Sequence, residues 1–240
     1  MGLLEYEILG ARCLCVDSRE EYVNHIENLM HEKKGGYSVA INAEKIMLYQ
    51  KNKEVKDVID NSTLPSPDGA GALIGLKLLH KKTSLKIDLP KTILEIADKN
   101  NSNLFVLGAS SEVNKLAVET IRNRYPSVKV VGSRDGYFKD EVEIIKEITQ
   151  ANPQIIMMAL GTPKQEILAV KVNKLLPAAI VIGCGGALDV LAGKVKRAPK
   201  LIQNIHLEWL WRLIESPSRI KRQKVLPLFL FKVILATLKK

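Results

Sequence analysis

Short apolar runs alternate with helical patterns along most of the 240-residue chain. The runs have the length and composition of buried strands, and the stretches between them repeat their apolar residues with helical spacing. Strands are predicted at residues 6–16, 37–41, 104–107, 128–131, 155–160 and 178–182. Helices are predicted at residues 20–31, 70–79, 91–99, 113–125, 141–148 and 164–176. This alternation predicts an α/β fold, with a Rossmann-like, mainly parallel sheet and flanking helices.

Ligands of such sheets bind beyond the carboxyl ends of the strands. The loops to examine are therefore those that follow Ile41, Leu107, Val131, Leu160 and Ile182. We expect the functional residues to lie in them.

The pattern changes after residue 193 to helix with no further predicted strand. Residues 201–214 are amphipathic, and residues 225–238 are apolar nearly all round but too short for a span of about 20 apolar residues. Apolar residues beside Lys and Arg suit a segment in the membrane interface. A helix packed against the body or a partner subunit would show the same pattern. We predict an α/β body at 1–193 and a basic helical C-terminal appendage at 194–240 that docks on a membrane.

The net charge of +10 lies entirely in this appendage. Residues 194–240 contain 12 basic and 2 acidic residues, whereas residues 1–193 contain 24 of each. A neutral body with a basic end predicts an anionic partner. Nucleic acid is disfavoured, because the aromatic residues of the appendage lie in apolar helical patterns and not as stacking platforms. The first residues lack the basic start and apolar run of a signal peptide, so we expect an intracellular protein.

Two glycine-containing loops could hold a phosphate. Residues 183–186 (G-C-G-G) would let a backbone approach a diphosphate closely, although tight turns use the same residues. The G-x-G-x-x-G spacing is incomplete, which disfavours NAD. Residues 161–166 (G-T-P-K-Q-E) place the donors of Thr162, Lys164 and Gln165 at a predicted helix start. Such a turn suits a phosphate or a base edge, and it could equally be an ordinary cap.

A third loop, residues 65–71, contains Asp68 between two prolines and two glycines. A stiff loop holds a carboxylate at a fixed position for base chemistry. The alternative is that Asp68 only caps the helix that follows, and the spacing does not separate the two.

Several kinds of site are disfavoured by the residues that are missing. The chain has no D-x-D pair, and its four histidines are scattered without metal-ligand spacing, so we expect no metal. It also lacks the nucleophile motif G-x-S-x-G and the Walker-type G-K-[ST]. Three cysteines cannot form a disulfide framework, and Cys13 and Cys15 are predicted to be small core residues on one face of a strand.

Seven short motifs occur in one order along the chain. They are N-A-E at 42–44, P-D-G at 67–69, G-Y-F at 136–138, G-T-P-K-Q-E at 161–166, G-G-A-x-D at 185–189, A-G-K-V-K-R-A-P at 192–199 and L-E-W-L-W-R-L at 207–213. With these motifs the chain resembles the WecG/TagA/CpsF family of bacterial glycosyltransferases, over residues 8–222.

The resemblance implies an inverting, metal-independent transfer from a UDP sugar, with no cofactor. The donor would be UDP-N-acetylmannosamine, and the acceptor the 4-hydroxyl of a polyprenyl-diphosphate-linked N-acetylglucosamine, as in the linkage unit of teichoic acid. Alternatives are transfer of the corresponding uronic acid or another hexosamine, a sugar-nucleotide-binding module without catalysis, and a nucleic-acid-binding protein. The enzyme would be cytoplasmic and peripheral on the anionic inner face of the membrane. It could form a homo-oligomer.

The resemblance also implies roles for individual residues. Asp68 would be the base, and Arg212, Arg219 and Arg222 would close over the active site. The candidate substrate-binding residues, taken from the motifs and the strand-end loops, are Asn42, Gly108, Tyr137, Thr162, Lys164, Gln165, Gly185, Gly186, Asp189 and Arg197. Among them, Gln165 and Asp189 would hold the nucleotide, and Tyr137 would lie near the uracil and ribose.

Two positions depart from the family pattern. Ala40 stands where family members usually have Thr, which puts the orientation of donor or acceptor in question. Residues 86–88 lack the glycine common before the I-D pair, which leaves the acceptor groove undefined.

Overall fold

The computed structural model describes residues 3–195 and 225–239, and a six-stranded parallel sheet forms its centre. The strands lie in the spatial order β4–β3–β8–β7–β5–β6. Their bounds are β3 Gly36–Ile41, β4 Leu64–Pro67, β5 Asn103–Gly108, β6 Lys129–Arg134, β7 Ile155–Ala159 and β8 Ile180–Gly183. The predicted α/β class with a parallel sheet is confirmed.

Helices cover both faces of the sheet, as the short apolar strands require. On one face lie α2 (Ala43–Tyr49), α3 (Lys53–Asp60), α4 (Gly69–His80), α7 (Glu141–Ala151), α8 (Lys164–Leu175) and the C-terminal helix (Val225–Leu238). On the other face lie α1 (Arg19–His31), α5 (Leu89–Lys99), α6 (Ser111–Arg124) and α9 (Ala187–Leu191). Each face has its own apolar cluster.

The strand side chains divide between the two clusters in the alternation that a strand imposes. In β5, Phe105 and Leu107 join the cluster with α7 and α8, whereas Leu104 and Val106 join the cluster with α5 and α6. All four side chains are fully buried. Because both faces are covered, these strands are continuous apolar runs in the sequence.

The strand predicted at 6–16 is a hairpin of two antiparallel strands, β1 (Leu4–Ile8) and β2 (Ala11–Cys15). The chain reverses at Leu9 and Gly10, where both backbone φ angles are positive, 51° and 88°. Gly10 adopts such an angle without strain, so this residue pair makes the tight turn possible. The prediction for the cysteines is confirmed, since Cys13 and Cys15 are buried and free.

β4 is the strand that the sequence pattern did not predict. It lies at one edge of the sheet, paired in parallel with β3 so that Val39 faces Pro65 and Ile41 faces Pro67. Prolines cannot donate to a ladder and are tolerated in edge strands, which is why a segment expected to be a loop pairs here. The backbone N–H of Asp68 continues the pairing by donating to the Ile41 carbonyl at 2.7 Å.

The C-terminal helix has the bounds that its apolar pattern indicated, and it packs against α2 and α4. Phe229 and Val233 are completely buried in the same cluster as the core of the body. Its other side exposes apolar side chains, namely Leu228, Phe231, Ile234, Leu235 and Leu238. Within residues 3–195 and 225–239, no helix is both long and apolar enough to cross a membrane.

Candidate active site

Parallel strands bring their carboxyl ends to one edge of the sheet, and the predicted site residues within the described ranges follow this edge. From β6 to β4 the edge carries, in spatial order, Tyr137, Gly108, the loop at 161–165, the loop at 184–189, Asn42 and Asp68. Arg197, Arg212, Arg219 and Arg222 lie outside the described residues.

Asp68 occupies the N-cap position of α4, yet its side chain makes no capping hydrogen bond. No hydrogen bond or ion pair of its carboxylate occurs in the described part of the chain, and the residue is only partly buried. Most capping aspartates accept a hydrogen bond from the first turn of the helix. Asp68 has the cap position without this bond, so its carboxylate oxygens are available to another partner.

Asn42 lies beside Asp68, because the register that pairs Ile41 with Pro67 sets the next residue of each strand side by side. Asn42 is the N-cap of α2, and its Oδ1 accepts from the Lys45 backbone N–H at 3.0 Å. Its amide nitrogen makes no hydrogen bond within residues 3–195 and 225–239. The oxygen is therefore structural, while the amide hydrogens remain available.

Three glycines at this edge open onto unoccupied space. Gly69, Gly161 and Gly185 have φ angles of +75°, +76° and +49°, and a Cβ added to any of them would meet nothing within 4 Å. Glycine adopts such a left-handed backbone at no steric cost. The three loops therefore leave open space beside their backbones at the carboxyl edge of the sheet.

Gly108 and Gly136 at the same edge are tightly packed. A Cβ at Gly108 would lie 2.4 Å from the carbonyl oxygen of Ala159, so this glycine lets β5 and β7 approach at their carboxyl ends. The Gly136 N–H donates to the Ala109 carbonyl at 2.8 Å and joins the loop after β6 to the loop after β5.

The turn at 136–138 presents one exposed aromatic ring and one packed ring. Tyr137 is 80% exposed, and its backbone N–H donates to Asp135 Oδ1 at 2.9 Å. The Lys164 ammonium lies 4.1 Å from the centroid of the Phe138 ring, a cation–π contact. Lys164 is the first residue of α8, so this contact ties the turn to the loop after β7.

A buried ion pair that the sequence analysis missed joins two of the motifs. Lys45 Nζ lies 2.6 Å from Glu166 Oε1, with only 4% and 5% of the two side chains exposed. The same oxygen accepts from Thr162 Oγ1 at 3.2 Å and from Gln165 Nε2 at 3.0 Å. Lys45 directly follows N-A-E and Glu166 ends G-T-P-K-Q-E, but spacing cannot reveal a pairing between such distant segments.

Two buried oxygens of this cluster have no partner within the described ranges, Gln165 Oε1 and Glu166 Oε2. Gln165 lies against β8, where a Cβ added to Gly183 would be 2.5 Å from Gln165 Nε2. The amide therefore lies between α8 and the carboxyl end of β8.

The loop after β8 contains Cys184, Gly185, Gly186 and, in the first turn of α9, Asp189. Burial raises the pKa of the Cys184 thiol to about 12, so the thiol stays protonated and is not a nucleophile. The Asp189 carbonyl accepts from the Lys194 N–H at 3.0 Å, and no hydrogen bond of its carboxylate occurs in the described part. Within that same part, no group of three or more His, Cys, Asp or Glu residues is placed to hold a metal ion.

Comparison with known proteins gives concordant similarities. The model of a family described as "Glycosyl transferase WecG/TagA/CpsF family" matches residues 6–240. A protein of Bacillus spizizenii named N-acetylglucosaminyldiphosphoundecaprenol N-acetyl-beta-D-mannosaminyltransferase is 33% identical over 224 residues, 91% of this chain and 87% of the relative. A protein of the same name from Bacillus subtilis (strain 168) is 34% identical over 217 residues, 89% of this chain and 85% of the relative.

Proposed function

The chain belongs to the WecG/TagA/CpsF family of glycosyl transferases, and we propose that it transfers N-acetylmannosamine from UDP-N-acetylmannosamine to the 4-hydroxyl of a polyprenyl-diphosphate-linked N-acetylglucosamine. The transferred sugar and the lipid acceptor follow the names of the two relatives. The observation that carries the proposal is the Asp68 carboxylate, which stands at the open edge of the sheet without a capping hydrogen bond.

Asp68 acts as the general base in this mechanism. As the acceptor hydroxyl oxygen attacks the anomeric carbon, its proton passes to a carboxylate oxygen of Asp68. The new carbon–oxygen bond forms on the face opposite the bond to the diphosphate, which breaks and releases UDP. One displacement of this kind inverts the anomeric centre.

The order of the loops supports an extended position of the donor along the edge. Tyr137, at the β6 end, offers an exposed ring to the uracil and ribose. The open backbone at Gly161 and Gly185 offers N–H groups to the diphosphate, and Lys164 adds a positive charge near the first of them. The sugar then lies toward Asn42 and Asp68, where the acceptor enters.

The negative charge that develops on the departing diphosphate requires positive partners. We propose that Arg197, Arg212, Arg219 and Arg222 supply this charge in place of a metal ion. Arginine suits the role because its planar guanidinium pairs with two phosphate oxygens at once.

The C-terminal helix supports a peripheral position on the cytoplasmic face of the membrane. One side packs on α2 and α4, and the opposite side exposes Leu228, Phe231 and Leu238 to the surroundings. Exposed apolar residues on a helix beside a basic segment suit an anionic lipid surface. A lipid-linked acceptor would be presented at that surface.

A donor screen with a short-chain lipid-diphosphate acceptor tests the reaction. UDP-N-acetylmannosamine, its uronic acid and UDP-N-acetylglucosamine are offered with and without EDTA, and the product mass is measured. We expect an N-acetylhexosamine product that EDTA does not suppress. Binding of UDP without any product would contradict the proposal and indicate a binding module instead.

The role of Asp68 is tested by Asp68→Asn, with Asp57→Asn as the matched control. Asp57 is an exposed carboxylate on α3. Loss of a general base lowers kcat by about two to four orders of magnitude, whereas the control should keep the parent rate. Equal turnover by Asp68→Asn and the parent would remove Asp68 from the mechanism.

A further inference from the structure

Three hydrogen-bond donors contact Glu166 Oε1. Lys45 Nζ, Thr162 Oγ1 and Gln165 Nε2 all lie within 3.2 Å of this one oxygen. An ionised carboxylate can only accept hydrogen bonds. The Gln165 amide must therefore turn its NH2 group toward Glu166, and its oxygen must point elsewhere.

Gly183 restricts the same amide from the other side. The Gln165 Nε2 and Cδ atoms lie 2.5 Å and 3.1 Å from the place where a Cβ of residue 183 would be. Any larger residue at position 183 would force the Gln165 amide to move. With glycine there, the amide lies between the Glu166 carboxylate on α8 and the backbone of β8.

This arrangement of the amide leaves Gln165 Oε1 buried and without a protein donor in the described ranges. Gln165 is 5% exposed, and its Oε1 makes no hydrogen bond there. Buried polar atoms are nearly always paired in folded proteins. An oxygen fixed in this way near the carboxyl edge of the sheet suits a hydroxyl or N–H donor of a bound ligand.

Lys45 pairs with the Glu166 carboxylate and links the cluster to the acceptor side of the site. It lies in the first turn of α2, and its own N–H donates to the Asn42 side chain. The ion pair thus joins the loop after β3 to the loop after β7, with both side chains almost completely buried.

We propose that Lys45 and Glu166 are positioning residues that orient the Gln165 amide so that its oxygen accepts a hydrogen bond from the nucleotide part of the donor. This inference rests on the proposed function, because it takes the ligand to be a UDP sugar. Neither residue touches the reacting atoms.

Two double variants separate orientation of the amide from removal of charge. Lys45→Met/Glu166→Gln and Lys45→Met/Glu166→Leu both lack the buried charges, but only the first keeps an acceptor oxygen for the Gln165 NH2 group. UDP affinity is measured by calorimetry, and KM is measured separately for donor and acceptor. We expect the Glu166→Leu form to bind UDP about tenfold more weakly, the effect of about one lost hydrogen bond. Its acceptor KM should not change, and the Glu166→Gln form should stay near the parent.

Equal UDP affinity in the two double variants would overturn the inference, whether both match the parent or both fall. If the parent chain itself did not bind UDP, the proposed function would fail and the inference with it.

Gly183→Ala provides a test that leaves both charges in place. Its Cβ would displace the Gln165 amide, so UDP affinity should fall while the acceptor KM stays constant. Parent-like UDP binding by this variant would overturn the inference even if a double variant failed to fold.

Discussion

The buried Lys45–Glu166 pair provides a quantitative test of the structure through the single substitution Lys45→Met. The two charged atoms are 2.6 Å apart, and the side chains are 4% and 5% exposed. Removing the lysine would leave a carboxylate buried without its counter-charge. Loss of one partner from a buried pair costs about 3–5 kcal/mol of unfolding free energy, mostly because the remaining charge stays desolvated.

The chain contains a matched control on the same helix as Glu166. Lys171 Nζ also lies 2.6 Å from a glutamate oxygen, Glu141 Oε1, but these side chains are 49% and 38% exposed. Exposed pairs contribute about 0.2–1 kcal/mol, because water solvates each charge without the other. Lys171→Met therefore makes the same chemical change at the same distance and differs in burial.

Thermal unfolding followed by far-ultraviolet circular dichroism measures the Tm of both variants. In a chain of this length, 1 kcal/mol corresponds to about 2–4 °C in Tm, so Lys45→Met should lower Tm by about 6–20 °C. Lys171→Met should lower it by at most about 4 °C. Coincident unfolding curves for the two variants would refute the assignment of the Lys45 pair as buried. A Lys45→Met/Glu166→Leu chain should recover much of the loss, because it leaves no buried charge.

Two further predictions concern packing and thiol chemistry. Phe229→Ala should lower the unfolding free energy by about 3–5 kcal/mol, because Phe229 is fully buried against α2 and α4. Phe231→Ala, at a ring 58% exposed on the same helix, should change the unfolding free energy little. Equal effects of the two substitutions would show that the helix is not packed in this orientation. Iodoacetamide at pH 8 should leave Cys184 unmodified in the folded protein and label it in urea, as read by mass spectrometry. Burial raises the pKa of the Cys184 thiol to about 12, so the thiolate forms only well above the pH of the assay. Labelling of Cys184 in the native chain would contradict this.

The packing of the C-terminal helix also affects how the appendage should be studied. The division at residue 193 remains a prediction, and deletion of everything beyond it would uncover the apolar surfaces of α2 and α4 that Phe229 and Val233 cover. Loss of activity in such a truncated chain would then not separate missing arginines from a disturbed core. Substitution of Arg212, Arg219 and Arg222 in the 240-residue chain avoids this ambiguity.

Local pattern identified the elements whose burial is periodic. The apolar runs that became β3, β5, β7 and β8 were predicted because both faces of a covered parallel sheet are apolar. The loop positions followed from the same reasoning, because every strand of a parallel sheet ends at one edge. The identity of the family likewise came from short motifs in order, which a linear sequence preserves.

Local pattern was misleading where pairing depends on distant partners. The turn at Leu9 and Gly10 lies inside a run whose alternation continues on both sides, so the hairpin was predicted as one strand. β4 contains two prolines and becomes a strand only because β3 offers it an edge. The short helices α2 and α3 lie between β3 and β4 and were not predicted.

The α/β class, the basic end of the chain and the motif residues along one edge of the sheet follow from the amino-acid sequence alone. Only the folded structure shows that Asp68 holds a cap position without a cap bond and that Lys45 and Glu166 form a buried ion pair. Composition and spacing follow from local chemistry that each segment carries with it. A buried ion pair exists only when segments far apart in the chain come together and exclude water.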